Sequence, residues 1–117
     1  MEVLDIPEES IQSLVNAGWK HLFRTLIPAR TYPGQQVPVK TVGFENMLAT
    51  TSSLDPEVVY ALTKTLYENV DYLVAVHPAC RSLELDSAVT GLNVPLHRGA
   101  AQYYRERNIA IPKQLID

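Results

Sequence analysis

The sequence predicts an α/β fold in which a long amphipathic helix packs on a few strands. Three observations carry this. Residues 55–76 combine a start signal, Asp55 followed by Pro56, with Val59, Leu62, Leu66, Val70 and Leu73 at steps of three and four, the spacing that gathers apolar side chains on one helical face. Residues 20–27 and 37–51 are rich in strand-compatible types and are separated by a stiff reversal built on Pro28, Pro33 and Gly34. Hydrophobic residues make up 46% of the 117 and charged residues 20%, a balance that supports a folded core.

The first expected element is a short helix. Asp5 at its N-cap with Glu8 three residues later reads as a capping-box-like arrangement, and Pro7 suits a first turn. Ile11, Leu14 and Val15 fall on one face, and Gly18 is a plausible terminator. Residues 20–27 follow as a strand. Pro28 and Pro33 each fix φ and remove a backbone donor, so neither suits the middle of a paired strand. Gly34 directly after Pro33 tolerates the positive φ of a tight turn. The second extended stretch is interrupted by Gly43, which signals a bulge, a bend or a close approach. The helix over 55–76 ends before Pro78. A broken connection over 79–95 with a helical turn near 85–90 leads to a last helix over about 98–107, which His97 is placed to cap. Residues 110–117 read as a loosely held tail.

Composition narrows the function classes. Net charge is −3 with a sequence pI near 5.5, and the ten Lys and Arg are scattered; nucleic-acid binders concentrate basic charge to neutralise phosphates. No apolar run approaches the ~20 residues that span a bilayer. The N-terminus carries neither the positive start nor the apolar stretch of a secretory signal. Cys80 is the single cysteine, which excludes an internal disulfide framework and argues against a thiolate metal cluster.

Catalytic chemistry is poorly supported. His21, His77 and His97 lack the spacing that converges ligands or catalytic groups. Ser52 and Ser53 have no flanking nucleophile turn and no adjacent base, so capping and turn formation explain them. The carboxylates sit singly, with Glu8, Asp55 and Glu57 at helix starts where the dipole favours negative charge. Tyr60 and Tyr67 share a helix face and read as packing residues before a ligand cage. Arg30, Thr31 and Tyr32 form the candidate binding set. Arginine meets carboxylates through a two-pronged fork, and tyrosine offers a ring and a hydroxyl. The plainer alternatives are that Arg30 is a solvated turn residue and that Tyr32 packs locally. The expectation is no catalytic residue, no metal and no cofactor.

The order of several short motifs is more specific than any one of them. Ile27-Pro28 leads to Tyr32-Pro33-Gly34-Gln35, then Thr41-Val42-Gly43, Leu48 to Leu54, Val59-Tyr60, Tyr67-Glu68-Asn69, His77-Pro78, Pro95-Leu96-His97, Gly99-Ala100 and Tyr103-Tyr104-Arg105-Glu106. This series resembles the C-terminal third of the solute receptors of TAXI-type TRAP transporters, over roughly residues 7–109. Arg98 stands where the resemblance leads one to expect proline. Such receptors are about twice the size of a single domain of ~100–150 residues. The resemblance therefore implies the C-terminal part of a two-lobed, periplasmic-binding-protein-like fold. It assigns residues 1–39 to the end of the second lobe and the hinge approach, 40–109 to the return to the first lobe, and 110–117 to a tail.

What the resemblance implies about function is capture of a small carboxylate-bearing solute, an organic acid or an amino acid such as glutamate, between two lobes. Delivery to membrane permease subunits in the periplasm or another extracytoplasmic space follows. Tyr32, Thr31 and Arg30 would lie near the lobe crossing. The competing reading is a truncated structural or interaction domain that forms a homo-oligomer, or pairs with a second polypeptide, through an exposed lobe interface. A small hydrolase lacks a nucleophile–base pair.

Overall fold

The computed structural model describes residues 3–19 and 21–116. In chain order the elements are α1 (Glu8–Asn16), β1 (Leu22–Ile27), β2 (Val39–Phe44), α2 (Pro56–Glu68), α3 (Val70–Val76) and α4 (Arg98–Glu106), with 3₁₀ turns at Pro78–Ser82, Leu85–Ser87 and Lys113–Leu115. The chain is thus mixed α/β, and it divides into two compact units that part between Asn46 and Met47.

In the first unit β1 and β2 form an antiparallel pair, with Leu22 opposite Phe44 and Ile27 opposite Val39. Both expected strands are present, although Lys20, the expected start of the first, lies outside the described residues. The second extends only to Phe44, and residues 45–50 carry no regular structure. Gly43 does not interrupt it. It sits opposite Phe23, and a Cβ at this position would lie 2.9 Å from the Phe23 ring. Of the three readings of this glycine, close approach is the one realised.

α1 begins later than its sequence suggests. Pro7 occupies the N-cap and no side chain caps the helix. Asp5 is engaged elsewhere: its Oδ1 accepts from the Lys40 amide at 2.7 Å, while the Ile6 amide donates to the Lys40 carbonyl at 3.0 Å. The N-terminal segment therefore satisfies the outer edge of β2, which would otherwise present free backbone groups. Glu8 pairs with Arg24 of β1 instead of closing a capping box. Gly18, at φ +101, ends the helical segment as its sequence position suggests.

The second unit is helical. Asp55 caps α2 by accepting from the Glu57 amide at 2.8 Å, and Pro56 takes the first helical position. The helix expected over 55–76 is two helices. The Asn69 side-chain amide donates to the Thr65 carbonyl at 2.8 Å, and the Asn69 amide bonds Leu66 in a tightened turn. A local side-chain bond of this kind competes with regular helical geometry. α3 then stops at Val76, where His77 is extended before Pro78.

The buried face of α2 is also shifted. Val59 and Thr63 are buried and Leu66 is half-buried, but Leu62 is 45% exposed. Within this unit the partner that covers this face is α4. Gly99 is the reason α4 comes so close. A Cβ there would lie 2.2 Å from the Pro56 carbonyl oxygen and 2.9 Å from the Tyr60 nitrogen. The last residues are not a loose tail. Leu115 is buried, and its carbonyl accepts from the Leu96 amide at 2.8 Å; Asp117 lies outside the described residues.

Candidate functional site

The three candidate residues lie together in the connection between β1 and β2. Arg30 adopts a left-handed conformation, φ +66, and its amide donates to the Gln35 carbonyl at 2.9 Å. Tyr32-Pro33-Gly34-Gln35 closes as a tight turn. The Gln35 amide donates to the Tyr32 carbonyl at 3.1 Å and Gly34 has φ +86, the geometry of a type II turn with Pro and Gly at its centre. The Pro-Gly signal in the sequence thus corresponds to a real reversal.

Gln35 holds this loop and was not singled out by sequence reasoning. It is buried, its Nε2 donates to the carbonyls of Ile27 at 3.3 Å and Val37 at 2.9 Å, and its Oε1 accepts from the Tyr32 amide at 3.3 Å. One side chain therefore ties the end of β1, the turn and the approach to β2. Each such bond contributes a net ~0.5–1.5 kcal/mol, and leaving a buried partner unsatisfied costs more. The available signal was a lone amide directly after a Pro-Gly turn, where a polar side chain can reach back to the strand ends.

Arg30, Thr31 and Tyr32 border an open concavity of about 430 Å³ that also includes Gln35 and Gln36. Arg30 is exposed and Tyr32 is 41% exposed. The Thr31 hydroxyl donates to the Pro28 carbonyl at 2.7 Å, so its oxygen faces outward chiefly as an acceptor. The lining contains one cation and no carboxylate, and among the described residues Arg30 makes no ion pair. A planar guanidinium with neighbouring hydroxyl and amide groups suits a carboxylate better than a cation. The site is open to water, where a single ion pair contributes little.

A second concavity of about 330 Å³ lies where α1 meets the hairpin, with Ile6, Ile11 and Leu26 beside Glu8 and Arg24. Arg24 Nε donates to Glu8 at 3.1 Å. That hydrogen bond holds the Glu8 carboxyl below its ordinary range and raises the Arg24 guanidinium. The two charges neutralise each other, leaving a poorer recognition surface than Arg30, which makes no ion pair among the described residues.

Two histidines are helix caps, as their structural reading requires. His77 Nδ1 accepts from the Ala79 amide at 3.2 Å. His97 Nδ1 accepts from the Gly99 amide at 3.2 Å, and its Nε2 lies 3.1 Å from the Leu54 carbonyl. Those two contacts together select the tautomer with the proton on Nε2. Cys80 is half-buried. Among the described residues no group of three or more His, Cys, Asp or Glu is placed to hold a metal ion.

Tyr60 and Tyr67 join Tyr103 and Tyr104 between α2 and α4. Tyr67 stacks on Tyr103 with centroids 5.9 Å apart, and Tyr60 meets the same ring edge-on at 5.9 Å. Arg107 lies 5.3 Å over Tyr103. The rings fill one another's space, so they pack and leave no cage. The Tyr60 hydroxyl donates to Glu106 at 2.6 Å; this bond raises the Tyr60 phenol and lowers the Glu106 carboxyl. Burial pushes the Tyr67 phenol well above its ordinary range.

No helix among the described residues is long and apolar enough to cross a membrane. The sequence matches the NMT1-like family over residues 1–107. That family is periplasmic-binding-protein-like and related to the TRAP solute receptors, its members are typically extracellular or periplasmic, and this chain belongs to it.

Proposed function

We propose that this chain acts as the solute-binding component of a TRAP-type transporter of the TAXI kind, capturing a small carboxylate-bearing solute for a membrane permease. On this reading it corresponds to the C-terminal part of a two-lobed receptor, with the lobe crossing near residue 39, and it catalyses nothing. Arg30 supplies the fork for the carboxylate, Tyr32 a ring and hydroxyl, and Thr31 an acceptor. The observation that carries the reading is Arg30, without an ion pair among the described residues, on a concavity whose lining holds no carboxylate and that is held in shape by buried Gln35, within a chain of a binding-protein family. A second lobe would close over the ligand, and closure follows when ligand contacts both walls only in the closed state.

One wall alone leaves the ligand charge facing water, so this chain by itself binds weakly or not at all. Titration calorimetry with dicarboxylates and amino acids, on this chain and on a two-lobed receptor carrying the same residues, tests the proposal. The expected result is measurable binding only in the longer protein, weakened by Tyr32→Ala and Arg30→Ala. Tight binding by the short chain overturns the one-wall argument. Unchanged affinity after both substitutions removes the loop from the site.

A further inference from the structure

The two outer edges of the hairpin are guarded in different ways. The Lys40 amide donates to Asp5 and the Lys40 carbonyl accepts from the Ile6 amide, so both groups point away from β1. Bonding alternates along an antiparallel pair, and Lys40 therefore faces Leu26 without exchanging bonds with it. Every second residue repeats this orientation. The outward backbone groups are those of Lys40, Val42 and Phe44 on β2, and those of Leu22, Arg24 and Leu26 on β1. A row of this kind is a template for another strand. On β1 the Leu22 amide is taken by the Trp19 carbonyl at 3.2 Å, and the Arg24–Glu8 ion pair sits at the middle of the row, where charged side chains discourage pairing. On β2 the cover is the chain itself, through Asp5 and Ile6. It reaches Lys40 alone; among the described residues no backbone group outside the hairpin bonds Val42 or Phe44.

The β2 edge is also complementary to itself. Laid antiparallel to a second copy about Val42, Lys40 comes opposite the partner's Phe44, Val42 opposite the partner's Val42, and Phe44 opposite the partner's Lys40. A twofold, isologous contact requires this reciprocity. Phe44 is 67% exposed, and an ammonium group beside an aromatic ring is an attractive pair. Facing β-branched side chains add to a strand pairing. While Asp5 and Ile6 hold Lys40, its backbone cannot bond a second strand, and only the central Val42 pair can form. We propose that residues 5–6 are an autoinhibitory strap, which blocks the β2 edge and keeps two copies of the chain from pairing β2 against β2.

The double variant D5A/I6P removes both ties, because alanine offers no side-chain acceptor and proline no amide. Sedimentation equilibrium of the whole chain, wild type against D5A/I6P, tests the strap. The variant is expected to dimerise at least about tenfold more strongly than wild type. F44K added to it should return it to monomer, since lysines then face each other at both ends of the pairing. K40E added to that variant should restore the dimer, since each glutamate then faces a lysine. Circular dichroism checks that the variants stay folded; if D5A/I6P does not, D5A, which keeps the Ile6 bond, replaces it with the same directions expected. Equal association of wild type and the strap variant, dimers indifferent to F44K, or no recovery with K40E would each overturn the proposal. Solute binding plays no part in this pairing, so the failure of either reading leaves the other standing.

Discussion

Gly99 shows how one missing side chain sets a helix crossing. The α4 backbone passes so near the start of α2 that a methyl group would sit 2.2 Å from the Pro56 oxygen. His97 reinforces the same junction, capping α4 through Gly99 and reaching Leu54 just before α2. Gly99→Ala is therefore expected to destabilise the protein by ~1–3 kcal/mol, the usual cost of overpacking, despite the better helix propensity of alanine. Urea melts check this through a lowered midpoint at unchanged slope. An unchanged midpoint would mean the helices separate without cost. The capping role of His97 was legible in the sequence because a side-chain acceptor before a helix is a local signal. Asp5 misled for a related reason: it has the right chemistry for a cap, but the β2 edge, far away in sequence, claims it.

At the level of elements, the positions of β1, β2, α2 and α4 were readable from propensity, caps and turn residues. What covers each face was not. Val59 and Leu62 look equivalent in a list of apolar positions, yet Val59 is buried and Leu62 faces water, because α4 covers only one side of α2. Asn69 carries no propensity strong enough to announce a break; the bond from its side chain to Thr65 makes one. The candidate loop was half legible. Pro33 and Gly34 announced the turn, whereas the reach of Gln35 to Ile27 and Val37 depends on strand ends brought together by the hairpin. The α2–α4 pair also yields a titration test. The Tyr60 hydroxyl bond, supported by Gln102, holds the Glu106 carboxyl below its ordinary range. Tyr60→Phe should move the Glu106 titration upward, observed by carboxyl NMR, with little change in fold. A stationary Glu106 would show that the hydroxyl bond is not what lowers it.

The same tyrosine cluster determines how the molecule responds to alkali. Burial raises the folded-state phenol of Tyr67 above its unfolded value of about 10. The unfolded chain then loses this proton first as pH rises, so stability is fully present below that value and falls above it toward the folded value. Wild type should lose more stability than Tyr67→Phe between about pH 8 and pH 11 in urea melts. Equal losses would assign the alkaline sensitivity to other groups.

Stability is also distributed unevenly over the whole chain. Among the described residues, Val59, Ala101, Tyr103, Tyr104 and Leu115 are buried in the unit after Asn46, whereas the unit before it buries Ile11 and Val39 among apolar residues. A two-stranded sheet has little independent stability without a covered face, and Leu26 and Phe44 are 56% and 67% exposed. The hairpin therefore relies on polar contacts: the bonds of the buried Gln35, the Asp5–Lys40 tie and the Arg24–Glu8 pair, the last two exposed to water. Local opening is easiest where few apolar contacts protect the backbone. Hydrogen exchange should accordingly show the β1 and β2 amides opening at lower free energy than those of α2 and α4. On the proposed two-lobed reading, a longer receptor whose added lobe covers the hairpin should slow the strand amides most. Equal protection of strands and helices in the present chain would contradict this distribution, and would mean that the polar ties alone hold the hairpin as firmly as the aromatic core holds the helices.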